Sequence, residues 1–415
     1  MPVKPDMRTS RRRVCIVRSS DFAVVKELFE SDTRVEFIAS TVNPAAGYLL
    51  YVRAGVLLAQ PFDPRSRELS GDVVPVACSV YQFGTGAADF SVSERGVIAY
   101  QSFVSRTHLA WVDRAGREVG TIGPANVNVK AARLSPDGKW AAAGLYDLEN
   151  AGQDLWIFDV KTNAGRRLSA NPALRDAAVW SPDSKKIAFL FAARDEASGI
   201  RWRGLGELDA EEETPAADFQ IPLDWSPDGS FLAFMNVGLP RSASEQQSDI
   251  SLIDLAQGKK IVPLLNSRFH ESWGAFSPDG RWFAFTSNES GANEVYVQAF
   301  RGGETPGLTG PRYPASKGGA SAIRWRRDGR ELYFLNGAGV VQAVPVKLGR
   351  QPEFGPPETL FTVSTEARAA IHSLPGFDVS ADGSRFVVPV VSGAESPSIV
   401  VIQNWEGLLP PGRPH

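Results

Sequence analysis

Leu134-Ser135-Pro136-Asp137-Gly138 is followed along the chain by Trp180-Ser181-Pro182-Asp183-Ser184, Trp225-Ser226-Pro227-Asp228-Gly229 and Phe276-Ser277-Pro278-Asp279-Gly280. Two looser copies, Trp325-Arg326-Arg327-Asp328-Gly329 and Val379-Ser380-Ala381-Asp382-Gly383, continue the series. The aspartates at 137, 183, 228, 279, 328 and 382 are 46, 45, 51, 49 and 54 residues apart. A period in this range is that of an all-β propeller, with one four-stranded antiparallel blade per repeat.

The chemistry of the motif says why it recurs. Serine caps a turn through its hydroxyl, proline presets the backbone angle at the next position, aspartate accepts from nearby amides, and glycine takes the left-handed conformation that follows. These six aspartates are therefore read as structural turn residues. Before each turn stands one large apolar residue, and after it an apolar run such as Ile187-Ala188-Phe189, Leu232-Ala233-Phe234 or Phe283-Ala284-Phe285. That is an inner hairpin. The position held by Trp180, Trp225 and Trp325 also accepts Leu134, Phe276 and Val379, which marks it as a packing position between blades. Outer hairpins are visible too: Leu155 to Asp159 with Gly165, Leu252 to Asp254 with Gly258, and Leu109 to Asp113 with Gly116.

Working outward, Phe90 to Tyr100 is a copy without the proline, and Tyr48 to Val52 with Val56 to Gln60 are the middle strands of another unit. Units begin near residues 34, 88, 131, 177, 221, 272, 320 and 375, so eight blades are expected, with seven as the alternative. The last unit lacks a fourth strand after Ser398 to Ile402, because Gly407, Pro410, Pro411 and Pro414 cannot continue a sheet. Val14 to Val17 or Val24 to Leu28 is expected to complete it and close the ring, since an open blade would expose strand edges. The expected organisation is a basic tail at 1–13, one propeller domain over 14–407, and a proline-rich tail at 408–415.

Of the 415 residues, 43% are apolar and 22% charged, and the formal net charge is -3. No global field draws in nucleic acid or an anionic membrane. Two cysteines, Cys15 and Cys78, make no disulfide framework and read as buried or half-buried thiols. No stretch reads as a secretory leader or a membrane helix, so the expectation is a cytoplasmic monomer without a cofactor; as part of a membrane-anchored kinase it would be extracytoplasmic.

The serine-proline-aspartate-glycine turns resemble the TolB-like, WD-type repeats of bacteria, and Phe276 to Phe300 is typical of them. Gly47-Tyr48-Leu49-Leu50-Tyr51-Val52-Arg53, Ala59-Gln60-Pro61-Phe62-Asp63, Ile323 to Gly329 and Asn404-Trp405 look more narrowly like the C-terminal propeller of bacterial receptor-like serine/threonine protein kinases. The kinase domain itself is absent: no glycine-rich loop, H-R-D or D-F-G string is present, Asp89-Phe90-Ser91 and Asp218-Phe219-Gln220 lacking the glycine. The resemblance implies a sensor or interaction module.

Catalytic patterns are missing. There is no G-x-S-x-G elbow, and in these turns glycine directly follows aspartate, unlike the aspartate box of sialidases. His108, His270, His372 and His415 show no metal-ligand spacing, and no calcium loop occurs. Arg11-Arg12-Arg13 and Glu211-Glu212-Glu213 read as solvated charge. The candidate binding residues are Phe269, His270, Glu271, Lys317, Arg368 and His372, on loops entering the inner strands at one mouth of the channel. The expected role is non-catalytic binding of a protein or a small molecule. The alternatives are a hydrolase or lyase with its site in the channel, and a periplasmic TolB-like assembly component, which would need a leader.

Overall fold

In the computed structural model the described residues are all except 1–11, 19, 22, 32, 41, 44–45, 54–55, 78–79, 81–88, 94–95, 103–106, 148–151, 169–173, 193–198, 207–210, 215–219, 238–247, 364–375, 393–397 and 409–415. Apart from the 3-10 turn Trp405–Leu408, their regular structure is strand. The chain divides into two compact units. One comprises residues 1–105, 148–151 and 394–415, the other residues 106–147 and 152–393.

The second unit is a propeller. Blade 1 is built from residues 128–134 of the long strand Glu118–Leu134, then Trp140–Asp147, Gly152–Asp159 and Gly165–Arg167. Blade 2 is Leu174–Trp180, Lys186–Ala192, Gly199–Gly204 and Glu212–Glu213. Blade 3 is Gln220–Trp225, Phe231–Val237, Ser248–Asp254 and Lys260–Leu265, and blade 4 is Glu271–Phe276, Trp282–Ser287, Glu294–Arg301 and Gly307–Pro314. Blade 5 is Ala320–Trp325, Glu331–Asn336, Val340–Lys347 and Glu358–Thr362. Blade 6 takes Asp378–Val379 and Arg385–Val391 from late in the chain. It takes Thr107–Asp113 and residues 118–122 from early in it.

The ring closes through that sixth blade. Thr107 to Asp113 pairs antiparallel with Val391 to Arg385, residue by residue. His108 ties the seam, with its Nδ1 2.7 Å from Ser392 Oγ and its Nε2 3.1 Å from Glu118. Six apolar clusters fill the six spaces between neighbouring blades, the last joining Trp111, Ile122 and Val387 to Val129, Ala141 and Phe158 of blade 1. Burial of such surfaces, at about 25 cal/mol per Å² of apolar area, is the main force holding blade to blade.

This corrects the expectation of eight blades in one ring. The described strands form eight such sheets, but the ring holds six blades. The other two sheets belong to the first unit: Glu36–Ala39, Gly47–Arg53, Val56–Asp63 and Val74–Ala77 in one, Phe90–Val92, Ile98–Ser102 and Ser398–Ile402 in the other. A strand from the N-terminal side does close the ring, as expected in kind, but it is Thr107–Asp113. Arg12–Val17 pairs among the described strands with Val24–Ser31 in a hairpin of its own. The outer hairpin after residue 107 fits either inner hairpin by pattern alone. The pairing that won gives the sixth blade four strands like the others.

The turns are built as their residues dictate. Ser135 Oγ donates to Asp137 (2.6 Å) and accepts from the Trp140 amide (2.9 Å), while Asp137 accepts from Lys139 N (3.1 Å). The same ties recur at Asp183, Asp228, Asp279 and Asp382. In the looser copy Arg326 stands in the serine position and grips Asp328 with Nε (2.7 Å) and Nη2 (2.5 Å). The tryptophans pack between blades, with Trp180 and Trp325 also donating to Arg133 O (2.9 Å) and Ala275 O (3.3 Å) of the preceding blade.

Inside the ring the inner strands are not regular. Blades 2, 4 and 5 carry a bulge in which Ala177, Trp273 and Ala322 take left-handed φ values of 55°, 52° and 58°. Each lies three residues before the large apolar turn residue. A bulge re-aims the side chains that follow it, at a cost of about 1–2 kcal/mol for a non-glycine residue.

Candidate functional site

One residue stands just before each large apolar turn residue. Reading that column around the ring gives Arg133, Val179, Asp224, Ala275, Arg324 and Asp378. Four of the six are charged, and those four meet in a cavity of about 460 Å³ at the turn end of the channel. Trp111, Phe276, Trp325 and the turn residues Ser135, Pro136 and Ser380 to Asp382 line the rest of it.

Two of the charges are firmly held. Asp378 Oδ1 accepts from Arg324 Nε at 3.1 Å, and its Oδ2 accepts from the Leu134 amide at 2.7 Å. Arg324 and Asp378 are both only 7% exposed. The other two are looser. Arg133 lies 3.6 Å from Asp224 Oδ1 and 3.9 Å from Asp378 Oδ2, too far for a good hydrogen bond. Asp224 Oδ2 accepts from the Phe276 amide at 2.9 Å. Among the described residues, the buried Arg133 Nε and Arg324 Nη2 have no hydrogen-bond acceptor.

Burial pushes the Asp224 carboxyl above the usual range, against the pull of Arg133. Burial, with Arg133 adding to it, lowers the Arg324 guanidinium to about 9, and Asp378 and Asp224 oppose the shift. Arg324 is thus charged at neutral pH.

Residues proposed from sequence lie at the opposite end of blades 3 to 5, where the inner strands begin. Phe269, His270 and Glu271 come together there with Ser248 and Asp249 of blade 3. His270 Nδ1 is 2.9 Å from Ser248 Oγ, and the same hydroxyl donates to Glu271 O at 2.6 Å. Glu271 is fully buried; Ser267 donates to its Oε1, while Oε2 has no hydrogen-bond partner among the described residues. Phe269 is half-buried beneath Arg268. Lys317 is exposed on a loop pinned by Glu294, which accepts from the amides of Gly318 (2.6 Å) and Gly319 (3.0 Å). Arg368 and His372 lie outside the described residues.

Burial raises the Glu271 and Asp249 carboxyls and lowers the His270 imidazole. The Glu271 carboxyl is raised on folding, so its favourable contribution is complete below the ordinary value of 4.5 and lost as pH rises through the folded value. Glu271→Gln is therefore expected to gain stability relative to the parent as pH climbs from about 4.5 to about 7. Thermal melts of both proteins across that span check this. Parallel curves would mean that Glu271 is not held protonated by its surroundings.

Among the described residues no group of three or more acidic, histidine or cysteine side chains is placed to hold a metal ion, and no helix is long and apolar enough to cross a membrane. Cys15 is a half-buried free thiol, and Cys78 lies outside the described residues.

A TolB structure from Agrobacterium tumefaciens matches with a TM-score of 0.51 at 16% identity, covering 70% of this chain and 99% of that one. The fold is a TolB-like β-propeller. TolB from Acinetobacter baumannii aligns over 83% of this chain and 77% of its own, with a TM-score of 0.43 and 14% identity. In sequence, 171 residues are 28% identical to the uncharacterized peptidase YuxL of Bacillus subtilis (strain 168). That match spans 40% of this TolB-like chain and 23% of the peptidase. No family model matches the chain.

The axial residues of the propeller were not singled out from sequence. The signal was available: with the six turns aligned, one column mixes Arg, Asp, Val and Ala, whereas the next is always bulky and apolar. A variable column beside an apolar one marks side chains that face the channel.

Proposed function

We propose that this propeller is a non-catalytic binding module whose ligand site is the axial cavity at the turn end of the ring. The observation that carries the reading is the state of the charges there. Asp378 and Asp224 each accept a backbone amide, and Asp378 also holds Arg324, so the charged groups of the cavity are fixed by the fold. A cavity of about 460 Å³ with aromatic walls and a few placed polar groups is the form of a small-ligand site. The ligand is a small molecule or a segment of a protein partner.

A second reading, a hydrolase or lyase, is favoured by the opposite mouth. There two acids pushed up by burial flank a histidine pushed down, a pattern of functional sites. The sequence match to a peptidase adds to it.

One experiment separates the two. Ala381 is exposed and lines the cavity, so Ala381→Trp fills it without touching the core. A panel of small acids, sugars and peptides is screened by thermal shift against parent and variant. The binding reading expects compounds that raise the parent melting temperature and lose that effect in Ala381→Trp. Turnover of a panel substrate that vanishes in His270→Ala and survives Ala381→Trp would replace it with the enzyme reading.

A further inference from the structure

We infer that the axial cavity recognises a carboxylate group, taken by Arg133 and Arg324. This deepens the binding reading and rests on it. Three observations point the same way. First, Arg324 is more than nine-tenths buried and yet its Nη2 has no acceptor among the described residues. A buried donor left without an acceptor is costly, so an arriving acceptor gains more here than at a surface. Second, Arg133 stands at ion-pair rather than hydrogen-bond distance from both aspartates, with its Nε unpartnered. A planar guanidinium offers paired donors that match the two oxygens of a carboxylate. Third, Arg133 and Arg324 are close enough for each to feel the other's charge. An anion shared between them relieves that repulsion.

The same geometry makes recognition depend on pH. Asp224 is faced by Arg133 from blade 1, by Arg324 from blade 5 and by the Phe276 amide from blade 4, with Asp378 of blade 6 also at Arg133. Two arginines face two aspartates here, and Arg327, Arg385 and Asp382 also line the cavity. A carboxylate adds one negative charge, and the cheapest relief is a proton on Asp224, whose carboxyl burial already pushes up. Binding therefore takes up a proton and strengthens as pH falls. The remainder of the ligand lies against Trp111, Phe276 and Trp325 and is apolar or aromatic.

The carboxylate could belong to a free organic acid or to the C-terminus of a peptide. The test is isothermal titration of the full chain with four probes: 3-phenylpropionate, 3-phenylpropionamide, and Ala-Ala-Phe with a free or an amidated C-terminus. Each is run at about pH 5.5 and about pH 7.5. The free carboxylate of one pair or the other is expected to bind at least about tenfold more tightly than its amide. Preference for the acid or for the peptide says which source the site takes. Arg133→Gln is expected to weaken binding by a similar factor. Asp224→Asn is expected to do the opposite: it tightens binding at the higher pH to the level of the lower and flattens the pH dependence. That gain keeps the test decisive if the arginine variant folds poorly. Amides binding as well as acids, with binding lost in Ala381→Trp, would overturn carboxylate recognition and leave the binding reading standing. Carboxylate binding that survives Ala381→Trp would remove both. No binding by any probe, or tightening absent in Asp224→Asn, also overturns the inference.

Discussion

Replacing Asp378 with alanine is expected to cost the propeller about 3–5 kcal/mol, the usual penalty for stranding a buried charge. Asp378 is the only acceptor within hydrogen-bond distance of Arg324 Nε among the described residues, and it also caps the Leu134 amide of blade 1. It thus links blades 5, 6 and 1 at the point where the ring closes. Removing it leaves Arg324 buried beside the like charge of Arg133. Urea unfolding of parent and variant measures the loss. The double change Arg324→Met with Asp378→Leu is expected to recover much of it, because an apolar pair of similar volume has no charge to strand. A single-variant loss under about 1 kcal/mol would place the pair in the class of screened surface ion pairs, and the closure argument would fall.

The second large effect is in the other unit. Trp405 is fully buried among Ile38, Leu50, Phe90 and Ile98, edge-on to Tyr48 with ring centroids 5.1 Å apart. Next to it, Glu406 accepts from Ser40 Oγ at 2.6 Å. Trp405→Ala is expected to remove about 3–5 kcal/mol from this unit by leaving a cavity. Hydrogen exchange is the readout. Protection should fall over Ile98–Ser102 and Ser398–Ile402, which pair with each other, and stay unchanged over Trp282–Ser287 of the ring. Trp405→Phe is expected to lose much less, since the indole Nε1 is itself buried without a partner among the described residues. A uniform fall along the chain would contradict the assignment of Trp405 to that unit's core.

The candidate site was only partly legible. His270 and Glu271 could be named because they stand at the start of an inner strand and carry titratable groups. Their partners Ser248 and Asp249 could not, because they come from the preceding blade, across a loop with no telltale sequence. The axial cluster was hidden for a related reason. Ahead of Arg324 the inner strand bends at the left-handed Ala322, a residue with no intrinsic preference for that conformation, and Arg133, Asp224 and Asp378 join it from three other blades. The packed ring imposes it.

What the sequence alone determined is local. Serine, proline, aspartate and glycine at fixed offsets dictate six turns, alternation and apolar runs dictate the hairpins on either side, and their period dictates blades. These are interactions between residues a few positions apart, so the chain carries them wherever it folds. Only the tertiary structure decided that Thr107–Asp113 pairs with Arg385–Val391 and Ser398–Ile402 with Ile98–Ser102, so that six blades close and two sheets stand in another unit. Repeated hairpins present nearly the same edges. Which of them meet depends on the fit of apolar surfaces hundreds of residues apart, and on giving every blade of the ring four strands.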